Sequence, residues 1–258
     1  MTQGLADYSH FLLDLYQDAR QQEPEAFQRG ALERLQKLVP FDFIAWGGGE
    51  AEDRQVNEVL VLNQDQRVLT EWSNIGQWDA FCDLTLEQLN RTWKFDDIPD
   101  YRNTFAYNDH WRRFDVSHMM ATIMCEPLDG YVSFVGMFHE DMNRPFTDNE
   151  RHLVEALMPH LSEALRVNRE LTVARAAGPA EGSALIDSAG RILASQGPFA
   201  DLLQEEWGVV PEHRVPEVLM QAARVGRSWR GHSIQVEVRV FGQEFLLRVQ
   251  PLSPLEAL

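Results

Sequence analysis

Residues 145–175 read PFTDNERHLVEALMPHLSEALRVNRELTVAR, and this stretch decides how the rest of the chain is read. Thr147-Asp148-Asn149-Glu150 has the pattern of a capping box: the Thr147 hydroxyl accepts from the Glu150 amide, and the Glu150 carboxylate reaches back to Thr147. Apolar residues then recur at Leu153, Val154, Leu157, Met158, Leu161, Leu165 and Val167, close to helical spacing, so one long helix is predicted. Pro159 falls inside it and is expected to kink it, with His160 satisfying a carbonyl freed there. A helix of about thirty residues is long for a globular protein and suits a connector between two packed units. Past Pro159 a stripe of Leu161, Leu165, Asn168, Leu171 or Thr172, and Arg175 either pairs with its twin in a homodimer or lies on a second domain.

Upstream, residues 5–19 and 24–38 read as two amphipathic helices, the second opened by Pro24 and stopped by Pro40. Residues 41–46 read as a strand ended by Gly47-Gly48-Gly49, taken as a hairpin turn or mobile loop, since no Lys-Ser/Thr follows to make a phosphate loop. Residues 56–62 form a second strand. The segment 67–116 is dense in aromatics and is expected to hold short helices and loops rather than strands. Residues 119–125 and 131–139 are two further strands around a Leu128-Asp129-Gly130 turn.

Downstream, Gly178-Pro179-Ala180-Glu181-Gly182 reads as a linker. Two short strands, two helices at 198–207 and 216–225, and two alternating strands at 233–241 and 244–252 follow.

The pattern Phe-Thr-x-x-Glu-Arg-x-Leu-x-x-x-Leu-x-Pro-His-Leu-x-x-Ala-Leu, from Phe146 to Leu165, resembles the helix closing the GAF-like sensor region of many LuxR-type bacterial transcription regulators. The order helix, helix, strand, strand, insert, strand, strand, long helix is that of a GAF-like sensor. The resemblance thus implies an antiparallel sheet with helices on one face and a variable insert on the other. Ala184-Leu185-Ile186-Asp187, followed by Gly190-Arg191-Ile192-Leu193, is similar to the opening hairpin of many PAS modules. The expected fold is therefore α+β: a GAF-like domain at 1–146, a closing and connector helix at 147–177, and a small PAS-like domain at 183–252. The segment 251–258, PLSPLEAL, resembles the approach to a LuxR-type helix-turn-helix, and no basic recognition helix is found elsewhere. The DNA-binding module is accordingly expected to be absent from this chain, so that DNA is reached only through a missing C-terminal domain.

Bulk properties narrow the function. The chain has 258 residues, 44% hydrophobic and 24% charged, ordinary globular material for one large or two modest domains. Forty acidic residues against 23 basic ones give a formal net charge of -17. Such a surface repels nucleic-acid backbones and anionic membranes. Cys82 and Cys125 sit in apolar surroundings and read as reduced, buried thiols, as in a cytoplasm. The acidic N-terminus lacks the features of a signal peptide, and no apolar run approaches the ~20 residues of a membrane span. A soluble cytoplasmic protein with no membrane partner is expected.

Catalysis and metal binding find little support. There is no Gly-x-Ser-x-Gly elbow, and neither cysteine has a neighbouring base in sequence. His110, His118, His139, Glu140 and Asp141 contain no histidine pair at helical i, i+4 spacing. Asp96-Asp97 and Glu205-Glu206 read as solvated faces. No cofactor and no enzyme activity are expected.

The aromatic segment is the candidate site. An effector pocket is mostly apolar with a few orienting polar groups. Trp46, Trp93, Tyr101, Tyr107, Trp111 and Phe114 are candidate walls, and His110 and His118, with Asp97 and Asp109, candidate polar contacts. The competing reading is that these aromatics only pack the insert onto the sheet. Acyl-homoserine-lactone sensors, relatives in the LuxR-type group, pair Trp and Tyr with an Asp-Pro step followed by Trp. This chain has the Trp and Tyr residues but not that spacing. The sequence thus implies a sensory region binding an unidentified small apolar or aromatic effector, or a non-catalytic dimerisation module without one.

Overall fold

The computed structural model describes residues 2–125, 130–176, 183–187, 189–199, 201, 203–204, 214–217, 219–221, 234–240 and 243–249. The chain divides into two compact units, the first Met1–Gln22 with Ala26–Val167, the second Glu23–Glu25 with Asn168–Leu258.

The first unit opens with α1 (Thr2–Gln21) and α2 (Pro24–Leu38). Strands β1 (Phe43–Glu50) and β2 (Gln55–Leu62) follow. The insert comprises α3 (Arg67–Thr70), α4 (Ala80–Glu87), β3 (Thr92–Lys94), α5 (Phe105–Asp109) and several 3-10 turns. Strands β4 (His118–Cys125) and β5 (Tyr131–His139) lead to α6 (Asp148–Ala176). The five strands form one antiparallel sheet in the order β2-β1-β5-β4-β3.

Alternation along the strands divides the interior into two cores, because successive side chains point to opposite faces. On one face Ile44, Trp46, Leu60, Met120, Val135 and Met137 pack under α1, α2 and the first part of α6. On the other, Phe43, Ala45, Val61, Met119, Ala121 and Phe138 pack under the insert. Helices therefore cover one side of the sheet and the insert covers the other.

Local details explain where expectation and structure part. Gly47-Gly48-Gly49 is no turn or mobile loop. It continues β1 as buried strand, with a bulge between Gly48 and Gly49. A Cβ on Gly48 would stand 2.2 Å from the Tyr131 hydroxyl, so the glycine admits the ring rather than ending the strand. A strand was not expected in the insert, yet Thr92–Lys94 pairs with Met120–Thr122 as the sheet's last strand. Three residues are too few to show alternation. Asp96 and Asp97 are not simply solvated. Asp97 takes both Arg151 and the Lys94 amide, and Asp96 pairs with Arg102.

The capping box at the start of α6 is formed. Glu150 N donates to Thr147 Oγ1 at 3.2 Å, and Thr147 N donates to Glu150 Oε2 at 2.7 Å. Pro159 lies within the helix. His160 does not serve a freed carbonyl; its Nδ1 lies 3.0 Å from the Tyr16 hydroxyl on α1. The boundary between the two units falls inside α6, after Val167.

In the second unit, β6 (Ser183–Ile186) pairs with β7 (Ile192–Gln196), and β8 (Ile234–Val240) pairs with β9 (Gln243–Val249), each as a two-stranded antiparallel sheet. The first hairpin turns at Gly190, which has φ +85, over an Asp187 carboxylate that accepts the Ala189 and Arg191 amides. Helical residues appear at 199, 201, 203–204, 217 and 219–221. The expected linker 178–182, the Leu128-Asp129 turn and most of the two expected helices lie outside the described residues. No helix among the described residues is long and apolar enough to cross a membrane.

Candidate functional site

The register creates the site. One cross-strand row on the insert side runs Val61, Ala45, Gly136, Ala121, Trp93. Its three central positions carry a methyl group or a hydrogen, which leaves room above them that the Phe138 ring and the Met119 methyl, leaning over Gly136, fill only in part. The insert does not collapse into the hollow, and a half-open cavity of about 70 Å³ remains. A water needs roughly 10–15 Å³ of such space, so the cavity has room for several waters or a small organic group.

Ala45, Gly136, Ala121, Met119, Ile123, Phe134 and Phe138 form its sheet side. Leu69, Trp72, Asp79, Phe81, Cys82, Thr85 and Trp111 come from the insert, and Val56 from β2. A smaller cavity of about 40 Å³ adjoins it through Val56, Trp72, Cys82, Ile123 and Phe134.

Asp79 is the charged residue of this wall and is only 1% exposed. It caps α4, and its Oδ1 accepts the Phe81 amide at 3.0 Å. The same oxygen accepts the Tyr101 hydroxyl at 2.7 Å. Oδ2 accepts two indoles, Trp72 Nε1 at 2.8 Å and Trp111 Nε1 at 3.1 Å. One carboxylate thus ties four separate pieces of the insert together. Gly76 lets the Trp72 ring lie close, since a Cβ there would stand 3.0 Å from the indole.

The remaining polar groups of the wall are turned inward. Thr85 Oγ1 lies 3.0 Å from the Phe81 and Cys82 carbonyls of its own helix. Burial, reinforced by the Asp79 charge, pushes the Cys82 thiol up to about 12, so it is no ready nucleophile. Burial and the adjacent carboxylate also raise the Tyr101 phenol, which remains a donor.

The expected site residues scatter around this centre. Trp111 lines the cavity. Tyr101 stands behind the wall and reaches it through Asp79. Tyr107 packs edge-on against Phe95 and Tyr101. His110 is buried, with Nε2 2.8 Å from the Val68 carbonyl, and burial lowers its proton affinity. Phe114 packs beside His110. Trp93 packs at the end of the row, with Arg91 over its ring at 5.5 Å.

Trp46 and His118 depart most from expectation. Trp46 faces the helices, against Phe27, because it follows Ala45 and so points the opposite way. His118 bonds Arg102 of the insert and the Met142 carbonyl, and it does not line the cavity. Of the expected carboxylates, Asp97 is held by Arg151 and Asp109 is exposed. Asp79 was not among the expected residues. In sequence, an aspartate before Ala-Phe-Cys signals only a helix cap, and the donors that meet it come from up to 32 residues away.

Among the described residues no group of three or more His, Cys, Asp or Glu side chains could hold a metal ion. No family model matches the chain, and no curated protein matches it. Solved structures similar to it include the following. The N-acylhomoserine lactone dependent LuxR family transcription factor CepR2 from Burkholderia cenocepacia has 13% identity and a TM-score of 0.47, over 61% of this chain and 93% of that one. The VqsR LBD domain from Pseudomonas aeruginosa has 16% identity and a TM-score of 0.47, over 62% and 95%. SdiA from Escherichia coli has 12% identity and a TM-score of 0.45, over 67% and 72%.

Proposed function

We propose that this chain is the sensory region of a LuxR-type transcription regulator. In this reading residues 1–146 are a GAF-like ligand-sensing domain, 147–177 its closing and connector helix, and 183–252 a PAS-like domain. A small apolar or aromatic effector occupies the cavity between the Ala45, Gly136 and Ala121 row and the aromatic insert. The effector favours one of two conformations, since only differential affinity passes a signal. The change is relayed through α6 and the PAS-like segment to a C-terminal DNA-binding module, with the regulator acting as a homodimer in the cytoplasm.

The observation that carries this reading is the hollow row of small residues under an aromatic roof. Support also comes from the sequence pattern of Phe146–Leu165, the covering of one sheet face by helices, and the covering of the other by the insert. A thermal-shift screen of small aromatic and acyl compounds tests it. A ligand at 100 times its Kd stabilises by about 2.7 kcal/mol, which is roughly 5–10 °C for a domain of this size. If no compound at high micromolar concentration raises the Tm, the effector reading is withdrawn. The second reading, a dimerisation module without a ligand, then stands on Leu5 and Leu13, which are 71% and 66% exposed on α1. Sedimentation of Leu5→Glu and Leu13→Glu variants tests that surface.

A further inference from the structure

The sheet stands between the cavity and the connector helix. The cavity lies on the insert side, while Val154, Leu157, Met158 and Leu161 of α6 pack into the core on the helix side. The two meet around one margin of the sheet, at β3 and the 3-10 turn Phe95–Asp97 that follows it.

Inward from that margin, the buried Phe95 ring packs edge-on against Phe81, with centroids 5.1 Å apart, and its centroid lies 6.2 Å from that of the Trp111 indole. Phe81 and Trp111 both line the cavity. Outward, the residues around Phe95 hold the first two turns of α6. Lys94 Nζ donates to Asp148 Oδ1 at 2.9 Å, and Arg151 Nη1 donates to both oxygens of Asp97 at 3.0 and 3.1 Å. Glu155 Oε2 accepts the Thr92 amide at 3.0 Å. Asp97 also accepts the Lys94 amide at 2.8 Å, so one carboxylate fixes turn and helix together. Asp148, Arg151 and Glu155 recur at helical spacing, which puts all three on one face of α6.

We propose that β3 and its turn are the strap through which the cavity regulates the connector helix. A displacement of Phe81 or Trp111 is felt by Phe95, because close-packed side chains transmit strain, and it is passed to α6 through the Asp97–Arg151 and Thr92–Glu155 contacts. By linkage the effect is reciprocal, so the state of α6 also sets how well the cavity accepts an occupant. The use of this coupling as a signal rests on the cavity being an effector site; the coupling itself does not.

Contiguity counts as coupling only where a perturbation at one end is read at the other. Ala45→Leu fills the cavity from its floor on β1, with β5 and β4 between it and β3, and needs no ligand. Amide hydrogen exchange is measured in the 258-residue chain for residues 151–158 of α6 and, as a reference, 11–19 of α1, which packs in the same helix-side core. A loss of global stability speeds both alike, so the ratio of the two isolates the coupling. Ala45→Leu is expected to change that ratio by about 2- to 30-fold. The comparison is repeated in a background carrying Lys94→Ala, Asp97→Asn and Glu155→Ala, where Ala45→Leu is expected to leave the ratio unchanged.

An unchanged ratio when Ala45→Leu is made in the parent overturns the inference. A change that persists undiminished in the triple background also overturns it, since the effect then crosses the sheet instead of rounding its margin. Should the triple background fail to fold, Asp97→Asn alone takes its place, with a diminished response expected and an undiminished one overturning the inference. Ala45→Val replaces Ala45→Leu if the larger side chain prevents folding. Because no ligand is used, failure here leaves the effector site standing, and an empty thermal-shift screen leaves the coupling standing.

Discussion

Two neighbouring cross-strand rows, one residue apart, give the two faces of the sheet opposite characters. On the helix side the row is Leu60, Trp46, Val135, Thr122, Thr92. Its centre is filled by an indole packed edge-on against Phe27, and its polar end closes on itself through a 2.7 Å bond between the Thr92 and Thr122 hydroxyls. On the insert side the row is Val61, Ala45, Gly136, Ala121, Trp93, and its centre is only partly filled, by the Phe138 ring and the Met119 methyl over Gly136. The same strands thus make a solid structural core on one side and a cavity on the other. What separates them is side-chain volume at adjacent positions, Trp46 beside Ala45, and not a change of backbone.

Trp46→Ala tests the contrast most severely. It empties the filled face and is expected to cost about 3–5 kcal/mol in chemical denaturation, with ligand preference retained in whatever fraction folds. Asp79→Ala strips the acceptor from several buried donors on the other face. A loss of about 2–4 kcal/mol is expected, smaller than the sum of the separate bonds because water reaches a half-open site. Near-parent stability would show that Asp79 is not what holds the insert.

Ala121→Leu makes the insert-side row resemble the helix-side one. Stability should change by about 1–3 kcal/mol at most, while the Tm response to a cavity ligand disappears. A full ligand response in this variant would place the ligand elsewhere.

Acid should probe both faces through one buried histidine each. Burial lowers the proton affinity of His110 on the insert side and of His139 on the helix side, the latter partly offset by Asp42. Both lie below the ordinary histidine pKa of about 6.5 when folded, so the unfolded chain binds the proton more readily. Their contribution is complete above about pH 6.5 and is lost progressively as pH falls from that value through the lower folded pKa. A Tm profile between pH 7.5 and 5 should slope downward with acid, and His110→Gln should flatten only the insert-side share.

The smallest effect is expected from Lys94→Ala, which removes the ammonium contacts to the exposed Asp148 carboxylate and to the Phe146 carbonyl at the start of α6. Its Tm should stay within about 3 °C of the parent in moderate salt.

Much of the fold could be read in the sequence because long elements repeat their pattern. Helix α2 and strand β5 occupy the residues expected, and the capping box opens α6 as Thr147 and Glu150 foretold. The site was less legible. Alternation along β1 puts Trp46 and Ala45 on opposite faces, but nothing local says which face lies under the insert. Aromatic residues drew attention as pocket walls, whereas the cavity owes its existence to the residues with least side chain. Asp79 matters through donors at Trp72, Tyr101 and Trp111, and that convergence exists only after folding. The Gly47-Gly48-Gly49 run misled in the other direction, because close approach of Tyr131 and a bulge call for glycine as surely as a turn does.

The three-residue strand β3 has one more consequence. It closes the sheet on one side, and an open β margin is a template on which a foreign chain can add itself and begin aggregation. Here the amides of Thr92 and Lys94 are both occupied by carboxylates, Glu155 Oε2 at 3.0 Å and Asp97 Oδ2 at 2.8 Å. The margin is sealed by acidic side chains at the amides where another strand would dock, so a foreign strand adding at β3 would first have to displace them.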